Sequence, residues 1–215
     1  LSIQKNDLNP GYYQEVRLDA ISLLSGRIFE NALEIGCASG NTLGHLKTIG
    51  QAKRVHGLDQ SEFAASLRNQ ALDSYVVADA EVHDFGSKKF DLILLLDVLE
   101  HLRDPFTLVQ RCQTLLTGKG LLLISIPNIN NLRILKKLIL NNDFPYTDSG
   151  LLDRTHLRFF TDRSFLREMS TSCPSFKLVG EKKNWDYIPG LNWLRIVPFF
   201  RKFFVFQHVF LFERN

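Results

Sequence analysis

Cysteine is scarce in this chain and scattered. Cys37, Cys112 and Cys173 form no C-x-x-C pair, which excludes a disulfide framework and makes a reducing compartment, the cytoplasm, the expectation. No H-E-x-x-H run or cysteine–histidine spacing marks a metal site, so no metal is expected. The phosphate loop G-x-x-x-x-G-K-[ST] is missing too. No apolar run approaches the ~20 residues that span a bilayer, and the stretch LSIQKNDLNPGYY lacks the apolar region of a secretory signal. Neither a repeat nor a low-complexity linker divides the chain, so residues 1–215 are read as one domain. Charge of one sign is not in excess: 26 Lys and Arg against 23 Asp and Glu leave a formal +3. That is too mild to announce nucleic acid, and no basic groove with stacking aromatics is legible, so no nucleic-acid partner is expected.

What is present is an apolar share of 45% over 215 residues, enough for a sizeable core, and 17 Phe that crowd the second half. Short apolar runs alternate with helical stripes. Strands are expected at 31–36, 54–59, 75–80, 92–96, 121–127, 175–183 and 205–214. Helices are expected at 12–24, 41–49, 61–67 behind a Ser61 cap, 106–116 up to TGKG, 132–140, and around 164–169 behind Thr161. The run Leu92 to Leu96 has no polar break and suits a strand buried on both faces. The rhythm predicts βαβ units: a doubly wound, mostly parallel α/β sheet with helices on both faces. Ligands of such sheets sit outside the carboxyl ends of the strands, where Gly36–Gly40, Asp59, Asp79 and Asp97 fall.

The stretch ALEIGCASGNTLGHL, Ala32 to Leu46, carries the chemistry. A strand turns through Cys37, Ala38 and Ser39, between Gly36 and Gly40, into a helix. Small residues let backbone approach a bulky ligand. The spacing G-x-A-x-G fits the dinucleotide fingerprint G-x-G-x-x-G badly. The acids point elsewhere: Asp59 ends the next strand, where a carboxylate accepts hydrogen bonds from a ribose diol. Asp79 with Ala80 lies one strand further, near where a base edge is read, and Glu34 can take a cationic amino group. Strand-end turns are the plain alternative for Asp59 and Asp79. Tyr12, Tyr13 and Arg17 divide evenly between a ligand cleft and ordinary packing.

As a set, these stretches resemble a class I S-adenosylmethionine-dependent methyltransferase of the broad small-molecule and lipid-precursor group. ALEIGCASG is similar to the first motif of that family, VHGLD to the second and VVADAE to the third. FDLILLLDVLEHLRDP and LLTGKGLLLISIPN are similar to the fourth and fifth, and DRTHLRFF extends the likeness past residue 130. The resemblance implies a Rossmann-like sheet of seven strands, the last antiparallel, and S-adenosylmethionine as cofactor. By its implication Glu34, Gly36, Cys37, Ala38 and Gly40 surround the methionine portion and Asp59 binds the ribose. Asp79 and Ala80 lie beside adenine, and Asp97, Val98 and His101 line the floor. Ala38 stands where many members carry glycine, which implies slightly less room.

The expected activity is methyl transfer to an O, N or C atom of a small or lipid-like acceptor. His101 and His156 are the candidates for proton transfer; for His101 the alternative is a helix-start histidine that caps or packs. Asp153 and Arg154 are expected to pair and shape a lid, within a substrate-side insertion at 128–200, while His156 faces the acceptor. For the aromatic end three accounts stand: core, an acceptor pocket, or peripheral membrane contact through 191–206. The oligomeric state is open. A nicotinamide-dependent oxidoreductase and a catalytically silent interaction protein on the same fold are the rival readings.

Overall fold

The computed structural model describes residues 14–24 and 26–215; Tyr12, Tyr13 and Ser25 lie outside them. Seven strands, β1 (Phe29–Ile35), β2 (Ala52–Asp59), β3 (Ser74–Val77), β4 (Phe90–Leu96), β5 (Leu116–Pro127), β6 (Phe176–Trp185) and β7 (Val205–Arg214), form one sheet. Their order is β3-β2-β1-β4-β5-β7-β6. The first five run parallel, and β7 is antiparallel to both β5 and β6. The Rossmann-like reading is therefore correct, including the antiparallel last strand.

The period-2 geometry of a strand sends alternate residues to opposite faces. In β4, Leu92, Leu94 and Leu96 pack with Leu43, Leu46, Ala20 and Leu24 on one side of the sheet. Ile93 and Leu95 pack with Leu108, Val109, Cys112 and Phe165 on the other. Both faces are covered, which is why the run carries no polar residue. The helices are α1 (Leu18–Ile21, continued by a 3-10 turn to Leu24), α2 (Asn41–Thr48), α3 (Glu62–Ser66), α4 (Pro105–Leu115), α5 (Leu132–Asn141), α6 (Asp162–Ser172) and α7 (Pro198–Arg201). Thr161 caps α6 reciprocally with Ser164, so the expected cap is real and the helix runs past Met169.

Three boundaries differ notably from expectation, the first being the helix expected at 12–24: among the described residues it begins at Leu18, and residues 14–17 are not helical. The third strand stops at Val77 rather than Ala80, because Asp79 Oδ1 accepts the Glu81 N–H at 2.8 Å and starts a turn. Arg111 of α4 holds that turn by donating to the carbonyls of Ala80, Glu81 and His83. TGKG does not separate helix from strand, since β5 already begins at Leu116, which pairs with Phe90.

The core account holds for part of the aromatic end. Phe204, Phe210 and Phe212 are buried, with Phe165 stacked on Phe210 at 5.3 Å, whereas Trp193, Ile196 and Phe199 are exposed. The strand order reverses between β1 and β4. That switch point opens a crevice outside their carboxyl ends, flanked by Gly36–Gly40 on one side and Asp97 on the other.

Candidate active site

The turn after β1 places Gly36, Ala38 and Gly40 at φ of 72°, 48° and 77°. A Cβ on Gly36 would also stand 2.5 Å from Cγ2 of Val98. That glycine is demanded by packing against the end of β4 as well as by any ligand. Gly36→Ala is expected to lower stability by about 2–4 kcal/mol through backbone strain and overpacking. Ala38 sits in a region that costs an L-residue about 1–2 kcal/mol, so the structural consequence of lacking the middle glycine is strain. Ala38→Gly is expected to raise stability by up to about 1 kcal/mol, since glycine's greater unfolded freedom offsets part of the relief. Chemical denaturation measures both.

Asp59 and Tyr75 hold Ala38 in this conformation. The Ala38 N–H donates to Asp59 Oδ2 at 2.8 Å, and the Tyr75 hydroxyl donates to the Ala38 carbonyl at 2.7 Å. Asp59 Oδ1 accepts the Ser61 N–H at 2.9 Å. Each carboxylate oxygen keeps a second lone pair for a ligand hydroxyl. Burial raises the Asp59 pKa, countered by the N–H bonds from Ser61 and Ala38.

Glu34 is 3% exposed, and its Oε2 has no hydrogen-bond partner among the described residues. Burial pushes its carboxyl up to about 8, with Arg17 opposing and Asp59 adding to the shift. A buried carboxyl held off ionisation is a receptor for a cation. Cys37 is buried, and burial followed by Glu34 and Asp59 keeps its thiol well above the ordinary range; it packs rather than reacts.

Across the crevice Asp97, at φ of 55°, anchors a polar network. Arg17 Nη1 donates to Asp97 Oδ2 at 2.5 Å and its Nη2 to Gln207 Oε1 at 2.7 Å. Gln207 Nε2 returns to both Asp97 oxygens at 2.6 and 2.7 Å, and the Ser125 hydroxyl donates to Oδ1 at 2.9 Å. Asn184 joins Asp19 to Gln207. Arg17, Asp19, Asp97, Asn184, Phe206 and Gln207 line an open cleft of about 470 Å³. Arg17 lines this cleft and is at the same time packed into its ion-pair network, so the structure gives it both of the expected surroundings. Sequence reasoning missed Gln207 and Asn184. The only signal was the polar break at Gln207 and His208 in an otherwise apolar strand.

His101 and His156 come together, with ring centroids 4.8 Å apart at 77°. The Thr155 hydroxyl donates to Asp153 Oδ1 at 2.7 Å, so its oxygen must accept from His101 Nδ1 at 3.0 Å. The Thr155 carbonyl, 3.3 Å from the same nitrogen, also calls for a proton there. Both assign the Nδ1–H tautomer and leave Nε2 as the acceptor. Burial lowers the His101 pKa, with Asp153 opposing, which keeps the ring neutral. His156 is buried beside it; burial and then His101 lower its pKa.

Asp153 serves Thr155 rather than the expected partner Arg154, which lies 3.5 Å from Asp148. Glu100, buried with Oε2 unpartnered among the described residues, brings a carboxyl to the same place. One ligand-type atom from each of Glu100, His101 and His156 lies within 4.8 Å of the others, a grouping hidden from the sequence by the 54 residues between the histidines. Asp79 and Ala80 lie in the turn fixed by Arg111 and share no hydrogen bond with these groups among the described residues.

A family model for the methyltransferase domain matches residues 11–172. The ubiquinone biosynthesis O-methyltransferase of Shewanella sp. (strain ANA-3) is 31% identical over 131 residues, 57% of this chain and 52% of that protein. The protein of the same name from Alkalilimnicola ehrlichii is 31% identical over 136 residues, 58% and 51%. The chain spans about half the length of the curated relatives it matches. Among solved structures, the N-methyltransferase NodS from Bradyrhizobium japonicum WM9 superposes with a TM-score of 0.59 at 16% identity, over 91% of this chain and 90% of that one. The plantazolicin methyltransferase BpumL in complex with SAH gives 0.61 at 18%, over 95% and 80%. At these identities the structural likeness speaks to the fold, and the family model to descent. The match over residues 11–172 decides the matter: the chain belongs to the methyltransferase-domain family, which implies S-adenosylmethionine as its cofactor.

Proposed function

We propose that this chain transfers a methyl group from S-adenosylmethionine to an oxygen or nitrogen of a small-molecule acceptor. The observation that carries the reading is the meeting of two carboxyls at the ends of β1 and β2. Glu34 is buried with an oxygen unpartnered among the described residues, and Asp59 is aimed by two backbone N–H groups. Carboxyls without a phosphate cradle suit a ligand with an ammonium and a ribose. When bound, S-adenosylmethionine supplies an electrophilic methyl group on a sulfonium.

In this reading Glu34 takes the ammonium, and Asp59 accepts from the ribose hydroxyls with its remaining lone pairs. The Asp79–Ala80 turn borders the adenine. Asp97, tied to Arg17 and Gln207, forms the floor. On the acceptor side His101 receives the acceptor's proton at Nε2, with Thr155 and Asp153 holding its Nδ1–H. His156 packs against the His101 ring and fixes its plane. The three cysteines are free and buried, which supports a cytoplasmic location as part of the proposal.

Calorimetry tests the donor. The demethylated product S-adenosylhomocysteine is expected to bind and NAD not to. Asp59→Ala is expected to weaken that binding about 10- to 100-fold, the loss of hydrogen bonds to a charged group. Binding of NAD alone would replace the reading with a nicotinamide-dependent oxidoreductase. Binding of neither would leave a silent interaction protein.

A further inference from the structure

The segment between β6 and β7 leaves a set of large apolar side chains in solvent. Tyr187, Trp193, Ile196 and Phe199 are 69, 63, 84 and 64% exposed. Trp193 and Ile196 ride on a 3-10 turn at Asn192–Ile196 and Phe199 on α7, while Tyr187 sits in the loop before them. From residue 187 to 212 the chain contains no Asp or Glu, yet it carries Arg195, Arg201 and Lys202. None of these three cations is paired with a carboxylate among the described residues. Arg195 and Arg201 instead lie over the Trp185 ring at 4.7 and 5.4 Å, and Lys202 over Phe199 and Phe203 at 4.7 and 4.9 Å. The adjoining acid, Asp186, is already held by Arg133 at 2.6 Å.

We propose that this surface seats the chain on an anionic phospholipid bilayer. Cations and exposed apolar side chains are interleaved along this segment, so the lipid phosphates and the upper acyl region are contacted together. Trp and Tyr favour that depth of a membrane. Charge complementarity selects the occupant. A second copy would bring three further cations against these three, and a neutral apolar partner would desolvate them without a counter-charge. No helix among the described residues is long and apolar enough to cross a membrane, so the contact is interfacial. The same segment runs directly into Phe206 and Gln207, which line the cleft. An acceptor with a long apolar chain would thus pass from bilayer to cleft over continuous protein. The membrane seat itself does not depend on the methyl-donor reading.

Cosedimentation of the full chain with vesicles tests it. Phosphatidylcholine vesicles containing phosphatidylglycerol are expected to bind at least about tenfold more tightly than phosphatidylcholine alone, and less as salt rises. The variant R201Q/K202Q is expected to lose about thirtyfold in binding to the anionic vesicles, and Ile196→Asp to abolish it, both with an unchanged melting temperature. These side chains are exposed, so the fold should survive. Absence of vesicle binding, equal binding to both compositions, or a dimer on sizing that Ile196→Asp dissolves would each overturn the proposal.

Discussion

Replacing Glu34 by Gln is expected to weaken binding of S-adenosylmethionine and its demethylated product by about a hundredfold while stabilising the free protein at alkaline pH. The two effects share one cause. In the free protein the Glu34 carboxyl is buried, its Oε2 has no hydrogen-bond partner among the described residues, and it is pushed up to about 8. Between its ordinary value of 4.5 and about 8, the unfolded chain has lost this proton and the folded chain keeps it. The folded state then binds more protons, so stability falls as pH rises through that window, by on the order of a few kcal/mol from this group. Below 4.5 both states are protonated and the cost is absent. Gln carries no such charge, and its denaturation midpoint should decline less from pH 5 to 9. A residual decline is expected from Glu100, which burial and then Asp97 also hold well above the ordinary carboxylate range.

The ligand reverses the balance, because an ammonium beside Glu34 favours the carboxylate. Binding near neutral pH should release a proton, seen as a dependence of the calorimetric heat on the buffer's ionisation enthalpy, and affinity should rise with pH toward 8. Loss of one partner of a buried ion pair accounts for the hundredfold. Unchanged affinity in Glu34→Gln would remove Glu34 from the donor site.

Turnover in His101→Ala is expected to fall about 10²- to 10⁴-fold, the usual worth of a general base, with affinity for the demethylated product unchanged. The measurement uses the best acceptor from a panel of phenols, hydroxylated sugars and amines. Because burial lowers the His101 pKa, wild-type turnover should hold through neutral pH and fail only below the ordinary histidine value of 6.5. Thr155→Val removes the oxygen that accepts from His101 Nδ1 and should cost about 10- to 100-fold, with Thr155→Ser restoring most of it. Nitrogen-15 chemical shifts of His101 read the tautomer without any acceptor. Wild type and Thr155→Ser should show a protonated Nδ1, and Thr155→Val a mixture. A protonated Nε2 in the wild type would sink the assignment of His101 as base.

Much of the fold was legible because local patterning and tertiary position agree. Leu92 to Leu96 reads as a doubly covered strand since every residue is apolar, and the structure covers both faces. Thr161 reads as a cap because a hydroxyl three residues before Ser164 has one productive geometry. The third strand was overrun because Asp79 closes a turn that depends on Arg111, a residue 32 positions away from it, and no local signal reports that clamp.

At the site, Gly36, Gly40, Glu34 and Asp59 could be named from the chain because strand ends bring them to one edge of a parallel sheet whatever the rest does. By itself the sequence thus determined the layered α/β architecture, the family and the sheet edge that carries the proposed donor site, all consequences of period and strand order. Only the tertiary structure decided how Arg17, Asp97 and Gln207 meet across 190 residues, and that Asp153 sets the proton of His101 through Thr155 while Arg154 turns away. It also divided the C-terminal aromatics between core and surface. The physical reason is that hydrogen-bond geometry, burial and side-chain direction are relations between distant segments, and a spacing along one chain does not contain them.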